Sequence, residues 1–265
     1  MDIRDPEVRA VVAEVRPDVV YHLAAQISVS VSVQEPVLDA DVNIGGTLNL
    51  FEGMRELKSP ASKPVKLVYV TSGGTAYGNP EVVPTDESTP VWPLSPYGAS
   101  KLAIETYLPI YERLCDIDYS IIRLANVYGP RQDPHGAAGV IAIFTRAMLA
   151  GRTPTVFGDG NDERDYVFVS DVVEAIARAG ERSLPGPFNV GTGVCTSTNR
   201  VFEIIADYCG HSEPAVHGPD RPGDINRISL DSTRAKEQLG WEPRISLEAG
   251  LQRTVEWFNS DAQPD

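Results

Sequence analysis

The chain has three cysteines and five lysines in 265 residues, and no apolar run approaching the roughly 18 residues that a membrane span requires. Cys115, Cys195 and Cys209 are an odd number without metal-ligand spacing. That argues against a disulfide framework or a metal centre and predicts structural thiols in a reducing, cytoplasmic setting. The start, Met1-Asp2-Ile3-Arg4-Asp5, lacks the basic-then-apolar shape of a signal peptide. Positive charge is also scarce. With 23 Lys and Arg against 37 Asp and Glu, the net charge of −14 disfavours nucleic acid and anionic membrane as partners. A few converging arginines can still hold a small anion, so single Arg positions carry more information than the total.

What is present is alternation. Val8, Val11, Val12 and Val15 fall at helical spacing; after Pro17, Val19-Val20-Tyr21-His22-Leu23-Ala24-Ala25 reads as a buried strand. The pattern repeats with a helix over 40–54, a strand over 65–72, a helix over 96–114 and a strand over 119–124. This predicts an α/β fold, a doubly wound parallel sheet with ligands at the carboxyl ends of its strands. Beyond Tyr128, Gly, Pro and Asp become frequent, as in Gly158-Asp159-Gly160-Asn161-Asp162 and Gly218 to Asp224. The expected division is 1–130 for the sheet domain and 131–265 for a smaller, mixed substrate-covering region with segments returning to the first. A last helix is expected near 247–258, followed by a disordered tail over 260–265.

The segment Ser95-Pro96-Tyr97-Gly98-Ala99-Ser100-Lys101 carries the sharpest local chemistry. Ser95 can cap a helix that has Pro96 at its first position, which puts Tyr97 and Lys101 on one face a turn apart. A phenol near pKa 10 needs about 4 kcal/mol of preferential phenolate stabilisation to act as a base at neutral pH, and a neighbouring ammonium favours the phenolate. Chance alone gives roughly 0.2 such pairs here, so context decides. That context is Val68 to Gly78, a strand running into a glycine-containing, hydroxyl-rich loop.

The sequence resembles the extended short-chain dehydrogenase/reductase family, and within it the UDP-glucose 4-epimerase-like enzymes. The resemblance rests on Asp2-Ile3, His22-Leu23-Ala24-Ala25-Gln26, Asn43-Ile44-Gly45-Gly46-Thr47, the Tyr97/Lys101 pair, Arg123 to Arg131, Arg164-Asp165-Tyr166 and Arg221-Pro222-Gly223-Asp224. It implies a Rossmann-like fold and a bound NAD. Tyr97 is implied as the base for the sugar hydroxyl, with Lys101 holding the nicotinamide ribose and lowering the tyrosine pKa. Where the family usually has an assisting Ser or Thr, this chain has Gly73, leaving Ser72 or Thr75 for that role, with Thr75 favoured. Asp2, Ile3, Leu23, Ala24, Ala25 and Asn43 match cofactor neighbours. Asn126, Arg164 and Arg221 match groups that hold the nucleotide diphosphate, and Asp224 would hold a ribose hydroxyl or orient Arg221; Arg131 and Arg227 are weaker candidates.

The implied reaction inverts C4 of a nucleotide-diphosphate sugar through a 4-keto intermediate. A 4,6-dehydratase would carry an Asp-Glu pair where Gly74 and Thr75 stand. A homodimer through helices near 40–54 and 96–114 is a further family expectation. Relatives begin with a strand and a Gly-x-x-Gly-x-x-Gly turn for the cofactor pyrophosphate; nothing before Asp2 supplies one, so the reading is of a chain missing its first strands, with a truncated, non-catalytic binding module as the rival.

Overall fold

The computed structural model describes residues 1–57, 64–134, 139–220 and 225–260. In chain order the elements are α1 (Glu7–Val15), β1 (Val19–His22), α2 (Val29–Gln34), α3 (Pro36–Ala40), α4 (Thr47–Glu56), β2 (Lys66–Ser72), α5 (Gly73–Tyr77), α6 (Pro96–Cys115), β3 (Asp118–Leu124) and β4 (Asn126–Tyr128). There follow α7 (Val140–Leu149), β5 (Thr155–Phe157), β6 (Glu163–Arg164), β7 (Tyr166–Phe168), α8 (Val169–Gly180), β8 (Pro187–Val190), β9 (Thr196–Ser197), α9 (Thr198–Cys209), β10 (Val216–Gly218) and α10 (Leu247–Ser260). Two compact units emerge. The first comprises Met1–Gly78, Pro90–Arg123 and Ala175–Phe188; the second comprises Asn79–Thr89, Leu124–Glu174 and Asn189–Asp265.

The first unit is built on the central parallel sheet, strand order β1-β2-β3-β8, with β1 and β2 paired from Val19↔Lys66 to His22↔Tyr69. Its core joins Val8 and Val12 of α1, Phe51 and Met54 of α4, Leu67 and Tyr69 of β2, and Ile104 and Leu108 of α6. The short apolar runs became strands because helices cover them.

Three local expectations need correction. The strand expected over Val19 to Ala25 stops at His22, because Gln26 turns its backbone to a side chain: its N–H donates to Asn43 Oδ1 at 2.8 Å and its carbonyl accepts from Asn43 Nδ2 at 3.0 Å. The helix expected over 40–54 is α3, a wide π-type turn over Asp41–Gly46, and then α4. That turn buries Asn43, and it sets Gly46 so close to Ile3 that a Cβ there would lie 2.5 Å from the isoleucine side chain. The loop expected after β2 begins as the short helix α5, because Ser72 caps it.

The second unit packs Phe144 of α7, Val201 and Ile205 of α9, Leu251 and Val255 of α10, and Tyr166 and Phe168 of β7 into one core. Strands β4 and β7 pair in parallel, Asn126 opposite Tyr166. Ser260, expected to open the tail, closes α10 instead, and residues 261–265 lie outside the described residues.

Candidate active site

The amino end of α6 is fixed from both sides. Ser95 accepts the Gly98 N–H on its Oγ at 3.2 Å, and Pro96 occupies the first turn. Gly98 faces Thr75, whose carbonyl oxygen would lie 2.6 Å from a Cβ at that position. Only glycine lets α6 close on α5 this tightly. The contact holds the turn bearing Tyr97 beside the segment bearing Thr75. Ser72 Oγ is engaged as the cap of α5, accepting Thr75 N–H at 3.4 Å. The Thr75 hydroxyl is buried and has no hydrogen-bond partner among the described residues.

Behind the pair lies a buried polar cluster. Asp39, fully buried, accepts Ser100 Oγ–H at 2.6 Å, Gln26 Nε2–H at 2.7 Å and Asn43 Nδ2–H at 3.1 Å. Asn43 therefore has its amide occupied by protein partners. His22 meets Thr47 Oγ1 at 2.8 Å; burial, with the Lys101 cation adding to it, pushes its pKa down to about 3. Burial, and then the Asp39 charge, pushes the Tyr97 phenol up to about 12. Burial brings Lys101 down to about 8, with Glu105 and Asp39 opposing. These residues by themselves keep the phenol protonated, so its use as a base requires a further positive charge.

In the second unit, Asn126 donates its backbone N–H to the Asp165 carbonyl at 2.8 Å, which sets the strand bearing Asn126 beside the Arg164-Asp165-Tyr166 segment. The Asp165 carboxylate, 1% exposed, accepts from Thr192 N and Oγ1, Gly193 N and Leu230 N. Arg164 is half-buried; it donates to the Glu163 carbonyl at 3.1 Å and lies 3.8 Å from Asp162. Arg227 pairs with Glu163 at 2.8 Å. A cavity of about 630 Å³ is lined by Phe157, Asp162, Pro219, Asp220 and Asn226, among others. Arg221 and Asp224 lie outside the described residues.

Residues 1–254 match the family model described as GDP-mannose 4,6 dehydratase. The UDP-glucose 4-epimerase of Mycolicibacterium smegmatis is 52% identical over 264 residues, 99% of this chain and 82% of that one. The chain belongs to the NAD-dependent epimerase/dehydratase family of extended short-chain dehydrogenases/reductases. Two solved members of the family fit closely. The Thermotoga maritima UDP-glucose 4-epimerase with UDP-glucose has a TM-score of 0.94 at 44% identity, covering 99% of this chain and 84% of that one. The Thermus thermophilus UDP-glucose 4-epimerase in complex with NAD has a TM-score of 0.91 at 42% identity, covering the same shares.

The residues present fit the epimerase/dehydratase cofactor on one observation. Lys101 is 4% exposed, yet its ammonium has no hydrogen-bond acceptor among the described residues and rests 4.5 Å over the Tyr69 ring. A buried cation without an acceptor is costly unless a ligand supplies one. Leu23 and Ala24 are exposed just beyond the carboxyl end of β1, open to a ligand. Asp2 is bound by Arg4 at 2.7 Å, and the Arg4 hydrogen bonds draw its carboxyl down to about 2. Asp39, Glu105 and Tyr69 act on Lys101 without belonging to the expected site. A carboxylate inside an apolar helical stripe, as Glu105 is between Ile104 and Leu108, is their available signal in the sequence.

Proposed function

We propose that the chain performs NAD-dependent epimerisation of a nucleotide-diphosphate sugar at C4, of the UDP-glucose/UDP-galactose type. The observation that carries this reading is the Tyr97/Lys101 face of α6. Its phenol and buried ammonium have no hydrogen-bond partner among the described residues, and the relatives at 44–52% identity are named UDP-glucose 4-epimerase. NAD, when bound, supplies the acceptor and later donor of the C4 hydride and a ring cation that favours the phenolate. Lys101 would hold its nicotinamide ribose, with Leu23, Ala24 and Ala25 lying against it; Asp2 and Ile3 would serve the adenine end and Asn43 would shape the wall.

Tyr97 takes the O4 proton as the C4–H bond breaks and returns it when the bond re-forms on the other face. Thr75, with its free hydroxyl, assists that transfer in preference to Ser72, whose oxygen caps α5. Asn126, Arg164 and Arg221 hold the diphosphate while the 4-keto sugar turns, since guanidinium groups give paired, charge-assisted bonds to phosphate; Asp224 serves a ribose hydroxyl or Arg221. In this reading the first unit carries the cofactor and the second the sugar nucleotide.

We further propose a homodimer through the helices over 40–54 and 96–114, supported on α6 by the exposed apolar row Tyr107, Ile110 and Leu114. A cytoplasmic setting is supported by three free thiols. Among the described residues no helix is long and apolar enough to cross a membrane.

The alternative is 4,6-dehydration, which the family model's description favours. Gly74 and Thr75 stand where an acid pair would be needed, and that weighs against it. The chain incubated with UDP-glucose and NAD should give a product of unchanged mass. Loss of water would establish the dehydratase, and binding without turnover would establish a non-catalytic module.

A further inference from the structure

Lys101 and Glu105 stand four residues apart on α6, the spacing at which opposite charges on one helix face meet. Both are buried, at 4% and 8% exposure, where their attraction would be strong. No ion pair joins them. Glu105 is held by Arg123 of β3 instead: Nε lies 3.2 Å from each carboxylate oxygen and Nη2 lies 2.6 Å from Oε2. Arg123 Nη1 donates to the Tyr77 hydroxyl at 2.8 Å, and the guanidinium lies 5.0 Å over the Tyr77 ring. Lys101 is left with the face of Tyr69 and no acceptor.

We infer that Arg123 is a positioning residue: by occupying both oxygens of Glu105 it keeps the Lys101 ammonium uncommitted, free to serve Tyr97 and a cofactor ribose. The inference rests on the proposed role of Lys101 but concerns only which partner Lys101 is denied. A buried carboxylate that loses its cation must either take up a proton or seize the nearest other cation. For Glu105 that cation is one helical turn away. Every other group facing Lys101 leaves room for this capture. Tyr97 and Tyr69 are neutral, His22 is kept neutral by burial, and Asp39 is satisfied by Ser100, Gln26 and Asn43. The guanidinium suits the task because its planar fork matches the two carboxylate oxygens, which an ammonium meets only as a flexible point charge. Through Tyr77 the same residue also braces the end of α5, the element that bears Thr75.

The test reads Lys101 directly, without cofactor or turnover. In the full chain labelled with 13C-lysine, the five lysine side chains are followed by NMR against pH, with Lys101→Met assigning the signal. Lys101 should titrate near pH 8 in the wild type. Arg123→Gln should raise that midpoint by about one pH unit or more, as Glu105 captures the ammonium. Arg123→Gln/Glu105→Gln should lose that rise. An unmoved midpoint in folded Arg123→Gln, or a double variant that rises as far as the single one, overturns the inference. If Arg123→Gln does not fold, Arg123→Lys carries the test. It keeps the charge without the fork and should raise the midpoint in the same direction, and a wild-type value there contradicts the proposal. A chain with the expected titration but no epimerase activity would sink the catalytic reading and leave this one standing.

Discussion

Ser72 and Thr75 stand three residues apart with opposite commitments of their hydroxyls. The Ser72 oxygen accepts the Thr75 backbone N–H at 3.4 Å, and the buried Thr75 hydroxyl bonds to nothing described. Thr75→Val should therefore leave thermal stability close to wild type and lower kcat about 10²-fold, within the range for a lost proton-transfer group. Ser72→Ala should do the reverse, costing about 1 kcal/mol of stability as the cap is lost. Denaturant melts alongside steady-state rates separate the two; equal kinetic losses would contradict the division.

His22 makes a pH prediction with a definite sign. Its folded pKa near 3 lies below the ordinary 6.5, so the native state binds fewer protons than the unfolded chain between those values. The stabilising contribution is present above pH 6.5 and is lost as pH falls toward 3, at up to about 1.4 kcal/mol per pH unit. Urea midpoints at pH 7 and pH 5 should differ more in the wild type than in His22→Asn. An equal difference would remove His22 as the cause.

Asp165 should prove structural for its own unit, since its buried carboxylate is held wholly by protein donors. Asp165→Asn places an N–H₂ among donors from Thr192, Gly193 and Leu230, leaving at least one buried group unpaired at a cost of about 1–3 kcal/mol. Chemical denaturation measures the loss, and a stability within about 0.5 kcal/mol of wild type would refute it.

Arg164→Gln should raise KM for the sugar nucleotide about 10- to 150-fold with kcat little changed, the equivalent of one charge-assisted bond of about 1.5–3 kcal/mol. A fall in kcat with KM unchanged would place Arg164 outside diphosphate binding.

The sequence disclosed most where local rules suffice. Ser95, Pro96, Tyr97 and Lys101 fix one another within two helical turns, so their shared face was legible without any partner. Asn43 could be matched by resemblance, but its grip on Gln26, which ends β1 at His22, joins residues 17 positions apart and leaves no mark on periodicity. The wide turn over Asp41–Gly46 was invisible for a similar reason, since its spacing depends on burying Asn43 and admitting Ile3. Glu105 and Arg123 stand out in the sequence as charges in apolar stripes. That they bind each other, and so leave Lys101 free, depends on packing of α6 against the sheet.

The most direct test of the central claim follows a label at the reacting carbon. Supplied with NAD and UDP-glucose deuterated at C4, the chain should form UDP-galactose that keeps the deuterium at C4 with no change in mass, and Tyr97→Phe/Lys101→Met should form none. Deuterium lost to solvent, or equal turnover by the double variant, would contradict the account.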